Sequence, residues 1–313
     1  MSQNNVDIIE SDVIISNKNI NVSNLVTKSN ELIEASFKLS TEELKTIELL
    51  ASVVEPDDTD FKPYRFKISD YMQIIGVKNK SKYRDMQEVT KNLMKKVFTI
   101  KFQNYTLQTA WLSSAKYYPG EGVVDLTFDP NLKPFYLGLK ERFTSYKLQN
   151  VIRLKSNYSI RIYTILKQYE KIGERTMELD RLREIVGLEN NEYPLYADFK
   201  KRVIITAQKE LREKTDIYFE FEEIKKSRKV DKIRFLVYPN KVIPIKDCFG
   251  DSVFNRLVNT FGFSDEKANE ILSSYNEVFI TDTLDKVEKE YKKGNIKDLQ
   301  SYTYASLVKN YSK

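Results

Sequence analysis

Two ten-residue segments of this chain repeat one pattern at a separation of about 110 residues. Residues 68–77 read ISDYMQIIGV, residues 179–188 read LDRLREIVGL, and the two align without a gap. Each starts with an apolar residue that can end a strand, and a polar residue that can cap a helix comes next. Each then has a glycine, Gly76 or Gly187, that can adopt the left-handed conformation at which helices often stop. The repetition predicts two copies of one folding unit.

Each copy lies within the same order of predicted elements. A helix precedes it, at residues 41–54 and 156–171, and a longer helix follows it, at residues 82–96 and 195–214. The strand VFTIKF comes after the first copy, and the strands IYFEFEEI and KIRFLVYP come after the second. Short helix, turn, longer helix and β-hairpin is the order of a winged helix, a variant of the helix-turn-helix. The pattern therefore predicts two tandem winged helices, although strand–helix–helix–strand order also occurs in other α+β domains.

With 313 residues, the chain is long enough for two or three domains. Residues 1–27 are polar and rich in asparagine, which predicts a mobile N-terminal arm. We assign residues 28–137 to the first winged helix and residues 138–245 to the second. Residues 246–313 carry helical patterns without strand signals, so they are expected to form a small all-α C-terminal domain. The predicted fold class is α+β, with two tandem winged helices followed by this helical domain.

The net charge of +6 is concentrated in one of these segments. Residues 138–245 carry 24 basic and 16 acidic side chains, a net charge of +8. Residues 1–30, 31–137 and 246–313 carry net charges of −1, 0 and −1. A local excess of positive charge is typical of a surface that binds a polyanion such as DNA, although a solvated lysine-rich surface would give the same count. The second winged helix is therefore the predicted main DNA-binding domain.

The longer helix of the second copy supplies candidates for reading base edges. One face carries a predicted buried stripe of residues spaced four apart: Phe199, Val203, Ala207 and Leu211. The opposite face holds Lys201, Ile205, Gln208 and Arg212, with Arg202 and Lys209 beside them. A helix-turn-helix protein reads bases with the N-terminal half of its second helix. The candidates in that half are Tyr196, Lys200, Lys201 and Arg202.

Two further groups are candidates for phosphate contacts. The predicted turn of the second hairpin, KKSRKVDKIR, is strongly basic, and a wing of this kind lies along the phosphate backbone. Its candidate residues are Lys225, Lys226, Arg228, Lys229 and Lys232. The second group lies where a serine is expected to cap a helix, because the free N–H groups of a helix N-terminus bind phosphate. Its members are Arg153, Lys155, Ser156 and Arg161.

Several kinds of chemistry lack the residues that they need. The chain has no histidine and one cysteine, Cys248, which excludes Ser-His-Asp and Cys-His catalysis, a Cys/His zinc site and an internal disulfide. It has neither a GxxxxGK[ST] phosphate loop nor a GxGxxG segment. We therefore expect no enzymatic activity, no cofactor and no metal. The sequence has no run of about 18 apolar residues and no signal peptide, so a cytoplasmic protein is expected.

Three long stretches of the sequence carry a resemblance to a known family. They read KSNELIEASFKLSTEELKTIELL, SYKLQNVIRLKSNYSIRIYTILKQYE and FKKRVIITAQKELREKTDIYFEFEEIKKSRKVDKIRFLVYP, and they lie between residues 28 and 239. These stretches resemble the initiator replication proteins of iteron-containing, theta-replicating plasmids. Residues 246–313 resemble the helical C-terminal extension of such initiators from low-GC Gram-positive bacteria.

The resemblance implies a function and a set of partners. The two winged helices of this family bind directly repeated origin sequences, called iterons, in double-stranded DNA. The main major-groove helix would correspond to residues 196–208 here, which adds Gln208 to the base-reading candidates. The first winged helix would form the dimer interface and touch the other end of the repeat. Members are monomers when they open the origin and dimers when they repress their own gene, and they recruit host initiator, helicase or primase.

Residues outside the basic region are candidates for protein contacts. The apolar strands VFTIKF, YTLQTAWL and VVDLTF could pair edge to edge in a homodimer. The helix that Asp298 opens has a predicted apolar face of Leu299, Tyr302, Leu307 and Val308, with Tyr304 and Tyr311 nearby. Aromatic residues anchor protein partners, so host replication proteins are expected to bind this helix, unless these residues pack the domain's own core. The alternative function is a winged-helix transcriptional repressor with no replication role, which needs no such platform.

Overall fold

The computed structural model describes residues 22–55, 58–75, 82–189, 191–240, 253, 256–275, 277–294, 296 and 298–311. The chain divides into two compact units, Met1–Val242 and Ile243–Lys313. The first unit contains two winged helices in tandem, which confirms the predicted fold class, and the second contains the C-terminal helices.

The first winged helix combines short helices with small antiparallel sheets. Its helices are α1 (Asn30–Glu34), α2 (Thr41–Ala51), α3 (Ile68–Ile75), α4 (Lys82–Lys95) and α5 (Lys133–Tyr136). Its strands are β1 (Leu25–Ser29), β2 (Tyr64–Lys67), β3 (Phe98–Lys101), β4 (Thr106–Thr109), β5 (Leu112–Tyr118) and β6 (Val123–Phe128). Strands β2, β6 and β5 pair in that order, and β3 pairs with β4. Because β6 is hydrogen-bonded on both sides, the expectation that VVDLTF pairs edge to edge in a dimer is wrong.

The second winged helix follows the predicted order of elements. It contains β7 (Phe143–Lys147), α6 (Gln149–Ile152), α7 (Asn157–Lys167), β8 (Glu174–Glu178) and α8 (Leu179–Ile185). The longer predicted helix consists of α9 (Tyr196–Phe199), a π-helical segment (Lys200–Ile205) and α10 (Thr206–Lys214) without a break. We call this run, residues 196–214, the composite helix. The hairpin of β9 (Ile217–Lys226) and β10 (Lys229–Pro239) follows, and β8 pairs with the other side of β10.

Residues 22–27 belong to the folded first unit, so the prediction of a mobile arm is wrong for them. Strand β1 pairs with β7 along its whole length, and the Gln149 N–H donates to the Val22 carbonyl at 2.8 Å. Residues 1–21 of the predicted arm lie outside the described residues. The predicted boundary between residues 137 and 138 stays a prediction, and the strands on either side of it, β1 and β7, form one sheet.

Helix α2 is buried on all sides although its sequence is rich in charge. A capping box starts it: the Ser40 hydroxyl accepts the Glu43 N–H, and the Glu43 carboxylate accepts the Ser40 N–H. Further along, the Glu48 carboxylate accepts hydrogen bonds from the Lys28 ammonium at 2.6 Å and from the Tyr146 hydroxyl at 2.8 Å. Because a buried charge without a partner is costly, these bonds allow the first unit to enclose this helix.

Gly187 ends α8 in the left-handed conformation, with φ +79°, as the repeated pattern predicts. Gly76, its counterpart in the first copy, lies outside the described residues. A Cβ atom on Gly187 would clash with the carbonyl oxygen of Phe37, in the loop between α1 and α2. The end of α8 therefore packs directly against the backbone of the first winged helix, at a place where only glycine fits.

The second unit is a small helical domain with its own core. It contains a π-helical segment (Arg256–Thr260), α11 (Asp265–Ser274), α12 (Glu277–Lys292) and α13 (Leu299–Tyr311). On α13, Thr303 and Leu307 face this core, whereas Tyr302 and Val308 are exposed. The predicted apolar face is therefore wrong for Tyr302 and Val308. These two residues flank the buried face that Thr303 and Leu307 form. None of the helices in the described residues is long and apolar enough to cross a membrane.

Candidate nucleic-acid interface

The composite helix packs on the second winged helix through the predicted stripe. The stripe residues are all fully buried, namely Phe199, Val203, Ala207 and Leu211. Ile204 is fully buried as well. A π-helical turn contains one residue more than an α-helical turn. This extra residue explains why two consecutive side chains, Val203 and Ile204, both reach the core. The same turn leaves the hydroxyl of Thr206 close enough to donate to the Lys201 carbonyl, at 3.2 Å.

Two of the predicted base-reading residues point away from this core. Lys201 and Arg202 are both exposed in the N-terminal half of the composite helix. The guanidinium carbon of Arg202 lies 6.0 Å from the centre of the Tyr193 ring, in the loop before the helix. Ile205 and Lys209, further along, are exposed as well. These side chains form the part of the helix surface that a DNA groove could reach.

The other three predicted base-reading residues are bonded to strand β9. The Tyr196 hydroxyl and the Lys200 ammonium both donate to Glu223 Oε1, at 2.8 and 2.7 Å. The Gln208 amide donates to Glu220 Oε2 at 2.7 Å and to the Phe219 carbonyl at 3.2 Å. A role for these side chains in reading bases stays a prediction, and it would require these bonds to break.

Glu223 is the residue that connects the start of the composite helix with the hairpin. Hydrogen bonds from Lys200 and Tyr196 lower the pKa of its carboxyl group against the opposing effect of burial. In the other direction, burial and the nearby Glu223 carboxylate raise the pKa of the Tyr196 hydroxyl. The Glu223 carboxylate is therefore ionised near neutral pH and holds both side chains against β9. The sequence reasoning missed this link between helix and hairpin, although the place of Glu223 in the strand alternation, after Phe219 and Phe221, was a usable signal.

The tip of the β9–β10 hairpin carries exposed basic side chains. A two-residue loop, Ser227 and Arg228, joins the strands, and Ser227 has φ +60°. Four of the five predicted phosphate-contacting residues of the wing are exposed: Lys225, Lys226, Arg228 and Lys229. None of the ion pairs between described residues involves these four. Lys232 is half-buried, and its ammonium lies 3.7 Å from the Glu178 carboxylate. The wing therefore presents a cluster of unpaired positive charge.

Arg161 is not part of the surface, so its predicted phosphate contact is wrong. Its side chain is 3% exposed, and the guanidinium donates to three backbone carbonyls. These belong to Ile33 (3.0 Å) and Ala35 (2.7 Å), at the end of α1, and to Ile185 (3.0 and 3.1 Å), at the end of α8. The last carbonyls of a helix have no partner within the helix, and a cation there is favourable. Burial lowers the pKa of Arg161 to about 10, so it remains charged at neutral pH.

The predicted phosphate site at the start of α7 is occupied by a carboxylate of the chain itself. Glu210, on the composite helix, accepts the N–H groups of Lys155 (3.0 Å) and Ser156 (3.1 Å). It also accepts a hydrogen bond from the Lys214 ammonium at 2.7 Å. Ser156 makes no side-chain capping bond. The prediction that a phosphate binds these N–H groups is therefore wrong, because a buried anion already uses them.

The remaining predicted residues of that group stay predictions. The Lys155 side chain is exposed and Arg153 is half-buried, and both residues precede the start of α7 in the chain. Among the described residues, no group of three or more histidine, cysteine, aspartate or glutamate side chains could hold a metal ion. The arrangement offers a helix with exposed Lys201 and Arg202, and a basic hairpin tip in the same winged helix.

Comparisons with known protein families match both winged helices. A model described as "Initiator Replication protein, WH1" matches residues 25–167, and one described as "Initiator Rep protein, WH2" matches residues 178–237. Together the two cover about two thirds of the chain.

Three similar proteins come from Escherichia coli. A replication initiation protein is 27% identical over 190 residues, covering 56% of this chain and 57% of its own length. The PI protein is 28% identical over 155 residues, covering 44% and 51%. An uncharacterized 27.6 kDa protein is 27% identical over 206 residues, covering 61% and 86%. The chain thus spans only about half the length of the two relatives with a named function.

A solved structure supports the fold. The crystal structure of the Pi initiator protein in complex with iteron DNA superposes with a TM-score of 0.61 and 19% sequence identity. The match covers 72% of this chain and 100% of that chain. At this identity the likeness concerns the tandem winged-helix fold.

Proposed function

This chain belongs to the initiator replication protein family, and we propose that it is a plasmid replication initiator that binds iterons in double-stranded DNA. One observation carries the proposal: Lys201 and Arg202 are exposed on the composite helix, and the same winged helix exposes four basic side chains at the tip of its hairpin. A helix-turn-helix protein inserts the start of its second helix into the major groove. The Pi initiator, which has the same fold, was solved with iteron DNA.

The exposed residues of the helix and those of the wing would contact different parts of the DNA. A lysine or arginine at the start of the inserted helix can bond to the O6 and N7 atoms of guanine, which distinguishes one base pair from another. The wing residues, such as Lys226 and Arg228, would lie along the phosphates, which orients the protein without reading sequence. Lys225, Lys229 and the side chain of Lys155 are further candidates for phosphate contacts.

The wider role of the protein is part of the same proposal. We infer that it helps to open the origin, represses its own gene, and acts in the cytoplasm without enzymatic activity. We assign self-association to the first winged helix, in which β2, β4 and β5 each have one edge without a strand partner among the described residues. We assign recruitment of host initiator, helicase or primase to the C-terminal unit, where Tyr302 and Val308 are exposed on α13.

A repressor without a replication role is the less favoured alternative. The matching family models and the replication initiation protein from Escherichia coli both favour an initiator. The two functions differ in one outcome, since only an initiator maintains a plasmid that carries the origin. A plasmid with the gene and its upstream DNA, introduced into a host that lacks the protein, would separate them.

The DNA interface is tested by footprinting on the DNA upstream of the gene, followed by binding measurements. We expect protection of direct repeats. Lys201→Ala and Arg202→Ala should each weaken binding to the repeat by about 1–3 kcal/mol and change binding to a random duplex much less. Lys209→Ala is the comparison: this exposed lysine lies in the C-terminal half of the same helix, so its loss should change binding to the repeat and to the random duplex alike. An equal loss on repeat and random duplex would assign Lys201 and Arg202 to phosphates instead.

A further inference from the structure

Ile205 is an apolar side chain at the centre of the exposed face of the composite helix. It is 44% exposed, on the side of the helix away from the buried stripe. One turn before it are Lys201 and Arg202, and one turn after it is Lys209, all of them exposed. The residue thus stands between exposed basic residues on the helix that we assign to the major groove.

Packing within the chain does not explain an isoleucine at this position. A single exposed apolar residue is common on protein surfaces, so exposure alone has no meaning. A solvated helix position, however, gains most from residues such as alanine, lysine or glutamate, and a β-branched side chain there lowers helix propensity. The neighbouring Ile204 already fills the core. What needs an explanation is therefore the isoleucine at this helix position among basic side chains, and not its exposure.

We propose that Ile205 reads a thymine by packing against its C5-methyl group in the major groove. This inference rests on the proposed function, because only a helix inserted in the groove would reach a base. The thymine methyl is the apolar group that base edges present there, and apolar side chains contact it in other complexes. A β-branched side chain is stiff at χ1 in a helix, so Ile205 loses little side-chain freedom on binding. Lys201 and Arg202 would hold the adjacent bases or phosphates.

The test replaces each thymine of the repeat in turn by uracil, which lacks the methyl group but keeps the same hydrogen-bonding atoms. The probe is a duplex with one repeat identified by footprinting, and the full chain is used. For the wild-type chain we expect one or two positions at which uracil weakens binding by about fourfold, the value of one methyl-sized apolar group. For Ile205→Ala the same substitutions should have no measurable effect, and Ile205→Val should retain part of it.

Two controls separate the contact from other effects. Ile172→Ala removes an isoleucine that is 67% exposed after α7, outside the composite helix, and it should leave the whole uracil scan unchanged. Circular dichroism of Ile205→Ala should match the wild type, since alanine favours a helix. If Ile205→Ala weakens binding to the repeat by the same factor whether the duplex contains thymine or uracil, the methyl contact is overturned.

Failure of this inference differs from failure of the proposed function. If the wild-type chain binds the repeat no more tightly than a random duplex, the proposed function is wrong and the methyl contact falls with it. If the chain binds the repeat specifically, but its uracil penalties persist in Ile205→Ala, only the assignment of Ile205 is wrong. Ile205 would then be a candidate for contact with another protein.

Discussion

Replacing Arg161 by methionine tests whether this residue stabilises the fold from a buried position or contacts DNA at the surface. Methionine is similar in length and fills most of the space, but it has no donor. Three buried carbonyl groups, of Ile33, Ala35 and Ile185, would lose their charged partner. The change would therefore act at the contact between the two winged helices, far from any phosphate.

The size of the effect follows from these bonds. A hydrogen bond to a charged group contributes about 1.5–3 kcal/mol, and a buried acceptor left without a donor costs about 1–3 kcal/mol. The loss is partly offset because the cost of burying the guanidinium also disappears. We therefore expect Arg161→Met to lower the free energy of unfolding by about 3–4 kcal/mol. In a folding unit of this size, such a loss lowers Tm by about 10 °C.

Fluorescence of Trp111 is the appropriate assay. It is the only tryptophan of the chain, and it is buried in the first unit. At a temperature where the variant is still folded, its DNA binding should show the wild-type dependence on salt. Arg228→Ala, at the exposed hairpin tip, is the matched control: it should leave Tm unchanged and reduce the salt slope by about one. An unchanged Tm for Arg161→Met, together with a reduced salt slope, would refute the buried role.

Three further changes have expected outcomes. Burial raises the pKa of the Glu210 carboxyl group, but the hydrogen bonds to it outweigh burial and lower the pKa. The contribution of this group to stability is therefore present above about pH 4.3, and it is lost as the pH falls through the lower folded pKa. Glu210→Gln should therefore be less stable than the wild type at pH 7, and thermal melts should converge in acid; a constant gap down to pH 3 would contradict this. Gly187→Ala should cost more than about 2 kcal/mol, because the new Cβ meets the Phe37 carbonyl, whereas Gly173→Ala, with φ +85° but no close contact, should cost only the conformational strain of about 1–2 kcal/mol. A chain ending at residue 246 should bind the repeat normally and fail to maintain the plasmid, and normal maintenance would remove the proposed role of the C-terminal unit.

The elements that could be predicted from the sequence are those with local causes. Helix caps, the spacing of apolar residues and the glycine after α8 act over a few residues, and two copies of the same pattern supported each other. The buried stripe from Phe199 to Leu211 was predicted correctly for the same reason. The π-helical segment was not predicted, although a signal for it was present. Residues spaced four apart drift by about 40° per turn on a regular α-helix, and the extra residue of a π-helical turn offsets most of this drift.

The errors at the site arose from contacts that are distant in sequence. Arg161 bonds to a carbonyl 126 residues away, and nothing near residue 161 distinguishes it from a solvent-exposed arginine. The start of α7 was identified as an anion site for a sound local reason, its free N–H groups. The anion is Glu210, which lies 55 residues further along the chain than Lys155. Sequence patterns can identify such a site, but packing decides whether a ligand or the chain itself fills it.

Carboxylates next to the composite helix would have a consequence for specificity if this helix enters the major groove, as we propose. By holding the Lys200 ammonium, Glu223 would remove a phosphate contact from non-specific complexes, which depend on phosphates alone, whereas the repeat would still be bound through base contacts. It also holds Tyr196 and Lys200 in fixed positions. Specificity is a difference between affinities, and an initiator must find a few repeats among many competing sites. A lower non-specific affinity therefore improves the selection of the repeat.

Glu223→Gln would reverse both effects. The glutamine keeps a hydrogen-bonding oxygen but removes the charge, so Lys200 would become available to any phosphate. We expect the affinity for a random duplex to rise by up to about fivefold, as for one exposed charge pair, while the affinity for the repeat rises less. Glu222→Gln is the control, because Glu222 is exposed on the same strand and pairs with Arg234 at 3.3 Å instead of with the composite helix. If the ratio of the two affinities is unchanged in Glu223→Gln, this carboxylate serves only to join the helix to the hairpin, and discrimination rests on the exposed residues of the helix alone.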